Sequence, residues 1–171
     1  MRDRPDVADY APYYRRYVDL VPAGDILEQL AAEHPQSLAL LATVSAERET
    51  FRYAPGKWSL REVVGHLVDA ERVFAYRALH FARGDAAPLP SLEQDEWAAI
   101  SNAGERPLAE LLAEWSAVRT VTLATFRGLD AAAWERRGVA SGNSFTVAAL
   151  AYIILGHELY HRHGLEQRYL S

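Results

Sequence analysis

The segment "GHELYHRHGLEQ", close to the end of the sequence, carries His157, Glu158 and His161 in the order H-E-x-x-H. Two histidines four residues apart on a helix project from one side, within reach of a single metal ion. In a zinc protease with this pattern the intervening glutamate activates a bound water, and a third protein ligand completes the site. The remainder of that machinery does not follow. The metzincin continuation needs a histidine three residues after Gly164, where this chain has Gln167, and a downstream methionine, whereas Met1 is the only one. The other zincin arrangement takes a glutamate from a later helix, and ten residues after His161 are too few for it. No strand pattern precedes the motif, so a peptidase is not expected.

Bundles of helices build metal sites from facing side chains, which directs attention to another apolar helical segment. "VVGHLVDAE" offers His66, beside Val63, Leu67 and Ala70, which the pattern marks as core-facing. Gly65 and Gly156, each directly before a histidine, are expected to let these two helices approach closely. With no cysteine in the chain, a metal site must draw on His, Asp or Glu, and thiol chemistry needs a thiol from outside. Pattern alone leaves two readings open: a site built from His66, His157 and His161, or three ordinary surface or hydrogen-bonded core histidines. His34, before a proline, His80, far along the helix from His66, and His163, rotated off the His157/His161 face, read as structural or solvent-facing. Glu158 sits about 100° around the helix from His157. It is a candidate catalytic proton carrier, or else a residue that faces solvent or pairs with an arginine. Glu62 and Asp69 flank His66 and are candidates to orient its imidazole, although Glu62 also holds a capping position.

The elements that must position these residues are helical. Alternation of period two is nearly absent, while alanine- and leucine-rich stretches repeat at helical spacing between Pro and Gly breaks. A first helix is expected from Asp25 to about Glu47, burying Leu27, Leu30, Leu38 and Leu41, with Pro35 kinking or interrupting it. "SLRE" announces the second, with Ser59 and Glu62 as a capping box, ending at Gly84. A loop with Pro88 and Pro90 and a short helix around Trp97 lead to a third helix from Pro107 to about Arg127. Asp130 caps a single turn, "AAAW"; "GVASGNS" reads as a polar hinge, and the last helix starts near Thr146. The fold class is all-α: an antiparallel four-helix bundle with a long connection between the second and third helices. One domain is expected over residues 1–171, a length that buries a single core, with 1–23 as a tyrosine-rich arm ("YAPYYRRYVDLVP") packed over one side of the bundle.

The chain has a formal net charge of −5 and a pI near 5.7. Nucleic-acid binders usually present a basic surface, so no nucleic-acid partner is expected, and Arg72, Arg77 and Arg83 read as solvated helix faces and ion-pair partners. No stretch approaches the length of a membrane span and "MRDRPDVADY" has no apolar signal core, which points to the cytoplasm and to no membrane partner.

"RYAPGKWSLREVVGHLVDAERVFAYRALHFARGD", "GERPLAELLAEWSAVRTVTLATFRGLD" and "GHELYH" with "QRYL" close behind together resemble the DinB-like superfamily, in its branch related to YfiT-like metal-dependent hydrolases. The resemblance runs from about Tyr14 onward. It implies the same four-helix bundle, commonly a homodimer, with a divalent metal ion (Zn, Ni, Fe or Mn) held by His66, His157 and His161. Relatives often carry a further histidine beside the last ligand, where this chain has Tyr160, so its pocket lining departs from theirs. The implied activity on a small-molecule substrate is metal-dependent hydrolysis or transfer by a low-molecular-weight thiol. The competing reading is a non-catalytic, stress-related metal-binding or interaction protein.

Overall fold

The structure, a computed structural model, describes residues 4–171, so the first three residues of the expected arm lie outside the described residues. From Arg4 onward the arm consists of two 3-10 turns and a short helix, α1 (Arg15–Val18), laid against the bundle. Four long helices follow: α2 (Ile26–Ala42), α4 (Leu60–Ala82), α6 (Leu108–Arg127) and α8 (Val147–Arg168), with short helices α3 (Ala46–Glu49), α5 (Gln94–Ile100) and α7 (Ala131–Glu135) between them. α4 packs against both α6 and α8, and α2 against the same two, so the four form the expected bundle, with α5 in the long connection from α4 to α6.

Local chemistry sets where each helix begins. The Asp25 side chain accepts from the amides of Leu27 and Glu28, Asp130 from Ala133 and Thr146 from Ala149, satisfying donors that a helix start leaves without partners. At α4 the box is reciprocal: Ser59 Oγ accepts from the Glu62 amide at 3.3 Å and the Glu62 carboxylate accepts from the Ser59 amide at 2.6 Å. α4 stops before Gly84, whose φ of +78° favours glycine.

Three expectations are corrected. α2 is not interrupted at Pro35 and ends at Ala42, with α3 as a separate turn. Proline removes one helical amide, but Pro35 is exposed, where solvent can serve the carbonyl that loses its partner. "GVASGNS" is a hairpin rather than a hinge: β1 (Arg137–Ala140) pairs antiparallel with β2 (Asn143–Thr146), Gly138 opposite Phe145. Ser141 and Gly142, with φ of +52° and +71°, make the tight turn whose twist suits a two-residue hairpin. Gly138 is required here, because a Cβ would lie 2.0 Å from the Phe81 ring. Lastly, Arg77 is buried rather than solvated, while Arg72 pairs with Asp69 and Glu114 as expected of a helix face.

The apolar core divides into two clusters. One gathers Phe74, Phe81, Phe126, Trp134, Phe145 and Ile153, the other Leu41, Leu60, Leu67, Leu111, Trp115 and Leu165. Each such side chain stabilises the fold by roughly 1.5–3 kcal/mol through burial. Leu30 and Leu41 are in the core as expected; Leu27 and Leu38 are half-buried. On α4, α6 and α8 a buried charged residue lies near the boundary of the two clusters: Glu71, Arg119 and Glu158.

Candidate metal centre

α4 delivers His66 and α8 delivers His157 and His161 to one point between the two helices. The Nε2 atom of His157 lies 3.1 Å from Nε2 of His66 and 3.1 Å from Nε2 of His161. One donor atom from each ring falls within 4.8 Å of the others, the single such group of three metal-ligating side chains among the described residues. An ion held by imidazole nitrogens at about 2.0–2.1 Å sets those nitrogens about 2.9–3.4 Å apart, according to coordination number. The spacing fits. Hydrogen bonding alone serves it poorly, since the lone pair or N–H of His157 is shared between two rings, whereas a cation satisfies three converging lone pairs at once.

The surroundings keep these rings neutral, the form that ligates. Burial pushes His66 down to about 4, against the opposing charge of Asp95. Burial and the neighbouring His66 push His161 down to about 3. His157 is buried and lies well below its ordinary value, first through burial and then through the other two histidines.

Aromatic side chains wedge the rings in place. Trp58 lies 4.9 Å from His66 between centroids, Tyr17 and Phe74 lie 5.2 and 5.9 Å from His157, and Tyr160 lies 5.5 Å from His161. The two glycines act otherwise than the sequence suggests. A Cβ on Gly156 would come within 2.1 Å of the Tyr17 carbonyl oxygen, and one on Gly65 within 2.5 Å of the Ala103 side chain. They admit the N-terminal arm and the 3-10 turn Ala103–Glu105, rather than drawing α4 and α8 together.

Glu158 is not brought to this point. It is buried on another face of α8, where Arg119 Nη2 lies 2.8 Å from its Oε2 and His34 Nδ1 lies 3.8 Å from its Oε1. Burial pushes the Glu158 carboxyl up, but the Arg119 guanidinium outweighs it and, with His34 and Ser37, holds the group at about 2. Arg119 also donates to both oxygens of Glu71, at 2.7 and 2.8 Å, and to the Leu30 carbonyl at 3.0 Å, while Trp115 Nε1 donates to Glu71 at 2.9 Å. One guanidinium on α6 thereby ties together α2, α4 and α8. Glu62 is engaged by Ser59 and Arg52, and Asp69 by Arg72. Of the other histidines, His34 is buried edge-on against Trp115, His80 bonds the Ala87 carbonyl and His163 is exposed.

Two cavities reach the three histidines. A groove of about 860 Å³ touches His161 and is bordered by Arg16, Tyr53, Lys57, Trp58 and Arg168. A pocket of about 180 Å³ touches His66 and His157 and is walled by Tyr13, Tyr14, Tyr17, Phe74 and Arg77. Sequence reasoning missed the tyrosines and Arg77 as site residues. The density of tyrosine in the arm was visible, but its docking beside His157 depends on the missing side chain at Gly156.

The profile of the DinB superfamily matches residues 29–164. Among solved structures, the chain is similar to YfiT from Bacillus subtilis, a probable metal-dependent hydrolase with an unusual four-helix bundle topology, at 18% identity and a TM-score of 0.68 over 98% of this chain and 93% of that one. It is also similar to a mycothiol-dependent maleylpyruvate isomerase, at 13% identity and a TM-score of 0.68 over 86% of this chain, which spans only 61% of that protein. A DinB-like protein, YjoA, from Bacillus subtilis matches at 17% identity and a TM-score of 0.60, over 84% of this chain and 88% of that one. These likenesses show the shared fold. No curated protein matches the chain.

Proposed function

Because the chain belongs to the DinB superfamily, we propose that it is a divalent-metal enzyme of the hydrolase or thiol-transferase kind, with His66, His157 and His161 as the ligands. The observation that carries this reading is the convergence of three neutral imidazoles, two buried and one half-buried, on one point that two cavities reach. A divalent ion held there by neutral ligands keeps its charge uncompensated and supplies a nucleophile, by lowering the pKa of water to about 7 or by deprotonating a thiol. The chain's own residues do the rest. Trp58, Tyr17 and Phe74 fix the imidazole orientations, and burial keeps Tyr17 a neutral hydroxyl, so the wall it forms adds no negative charge.

Two cavities at one centre favour thiol transfer over hydrolysis, since water needs no groove of its own. The larger groove accommodates a low-molecular-weight thiol and the smaller pocket the substrate. With no cysteine in the chain, the thiol must be a co-substrate. Glu158, bound to Arg119, is assigned a structural role. The reading extends to one domain, a homodimer and a cytoplasmic location; no helix of the described residues is long and apolar enough to cross a membrane.

The test combines elemental mass spectrometry with a thiol-consumption assay, using a panel of low-molecular-weight thiols and the electrophile monochlorobimane. About one ion per chain in wild type, little in His66→Ala with its helical circular dichroism retained, and parallel loss of turnover are expected. Metal bound to wild type without turnover would instead favour the non-catalytic, stress-related binding protein.

A further inference from the structure

Two arginines are buried among the described residues, and they are treated differently. Arg119 meets the carboxylates of Glu71 and Glu158. Arg77, equally inaccessible at 2% exposure, has no carboxylate within 4.0 Å among the described residues. Its Nη2 donates to the Pro90 carbonyl at 2.8 Å and to Ser141 Oγ at 3.2 Å, with Tyr14 and the Phe74 ring beside it. All of these partners are neutral. A guanidinium cannot shed its charge at any physiological pH, and burying it without a counter-ion is unfavourable. A neutral amide side chain would serve Pro90 and Ser141 as well; a fixed charge is needed only for an anion.

The position of that charge identifies what the anion belongs to. Arg77 borders the pocket of about 180 Å³ that also touches His66 and His157, and no acidic residue lines this pocket. Arg77 also borders a second, largely apolar groove of about 340 Å³ formed with Tyr76, Leu89 and Trp97, with Asp69 and Arg72 on its lining. Much of the inner wall is aromatic, from Tyr13, Tyr14, Tyr17 and Phe74. A ligand that fills this space is small, flat or apolar in its body and negatively charged at the Arg77 end.

We propose that the pocket binds a small-molecule carboxylate, its acid group paired with Arg77 and its opposite end directed at His66 and His157, the reactivity of that end resting on the metal-centre reading above. Arg77 is then a specificity-determining residue for the substrate. A carboxylate adds a charge-assisted hydrogen bond to the guanidinium beside the two that Nη2 already makes to Pro90 and Ser141.

The test uses a charge pair of equal shape, benzoate and benzamide, titrated calorimetrically into metal-free and metal-loaded wild type, Arg77→Gln and Arg77→Lys. Benzoate is expected to bind wild type at least about tenfold more tightly than benzamide in both metal states, as a charge-assisted pair requires. Arg77→Gln is expected to abolish that preference and Arg77→Lys to keep part of it. Equal binding of the two probes, no benzoate binding, or an undiminished preference in Arg77→Gln overturns the proposal. If Arg77→Gln does not fold, amide shift mapping on wild type decides. Benzoate-induced changes at Arg77, Ser141 and Tyr14 uphold the site, and changes confined to Lys57 and Arg168 in the larger groove overturn it. The two readings separate cleanly: a benzoate preference in a protein that binds no metal removes the metal centre and keeps the carboxylate site, and metal binding without the preference does the reverse.

Discussion

Replacing Glu158 by glutamine separates the two roles that the H-E-x-x-H pattern allows it. The carboxyl is held at about 2 against an ordinary 4.5, burial raising it and the Arg119 charge outweighing burial. At about 1.4 kcal/mol for each tenfold change in acidity, that difference stabilises the folded protein by about 3 kcal/mol. The sign follows from the direction. Because the folded carboxyl is the stronger acid, this stability is complete above about 4.5 and is lost as the pH falls towards about 2. Glu158→Gln keeps the shape of the side chain and a carbonyl for Arg119 but removes the charge. It is therefore expected to be about 3 kcal/mol less stable than wild type at pH 7, which for a chain of this size lowers Tm by about 6–12 °C. The deficit should shrink to less than half by about pH 3 as the carboxyl protonates in the unfolded wild-type chain. Urea titrations followed by circular dichroism across that range measure it. A variant as stable as wild type at pH 7 would refute the reasoning, and lost turnover in such a variant would restore a proton-transfer role to Glu158.

Three further outcomes are expected. In metal-free protein, burial holds His66 at about 4 and His161 at about 3, below their ordinary 6.5. The unfolded chain accordingly takes up protons that the folded chain refuses, and Tm should fall as the pH drops from about 6.5 towards 4; a flat Tm series over that window contradicts this. Gly156→Ala drives a methyl into the Tyr17 carbonyl. It should cost about 1–3 kcal/mol and expose Arg15 and Arg16 to faster tryptic cleavage, as seen in a digestion time course. Ser59→Ala removes the acceptor for the Glu62 amide, for an expected loss of about 1 kcal/mol in chemical denaturation.

What could be read from the sequence was what local chemistry determines. The Ser59/Glu62 box, the Asp130 and Thr146 caps and the paired histidines of α8 all announce themselves within four or five residues. The hairpin did not, because two four-residue strands rich in Gly, Ser and Asn carry no alternation long enough to detect, and its position depends on the close approach of the Phe81 ring to Gly138. Pro35 misled because its cost depends on which face it occupies, which is a tertiary fact. His66 was recoverable only by looking for a third ligand on a second helix; nothing around it in sequence distinguishes it from His34, which turned inward as well and met Trp115. Arg77 was unreadable for the same reason, since an arginine at a helix position reads as surface until the loop carrying Pro90 closes over it.

The guanidinium of Arg119 also acts as a ruler. Apolar side chains tolerate helices sliding past one another, but bonds of 2.7 to 3.0 Å from one rigid fork to α2, α4 and α8 do not. A slip of a single residue along a helix is about 1.5 Å, whereas a metal site tolerates ligand displacements of only about 0.2 Å. Glu71 lies little more than one turn beyond His66, and Glu158 directly follows His157. The two helices that carry the ligands are therefore indexed to each other by an anchor immediately next to the ligands themselves. Variants that loosen Arg119 should lower metal affinity without altering any group that touches the ion, a misalignment defect rather than a chemical one.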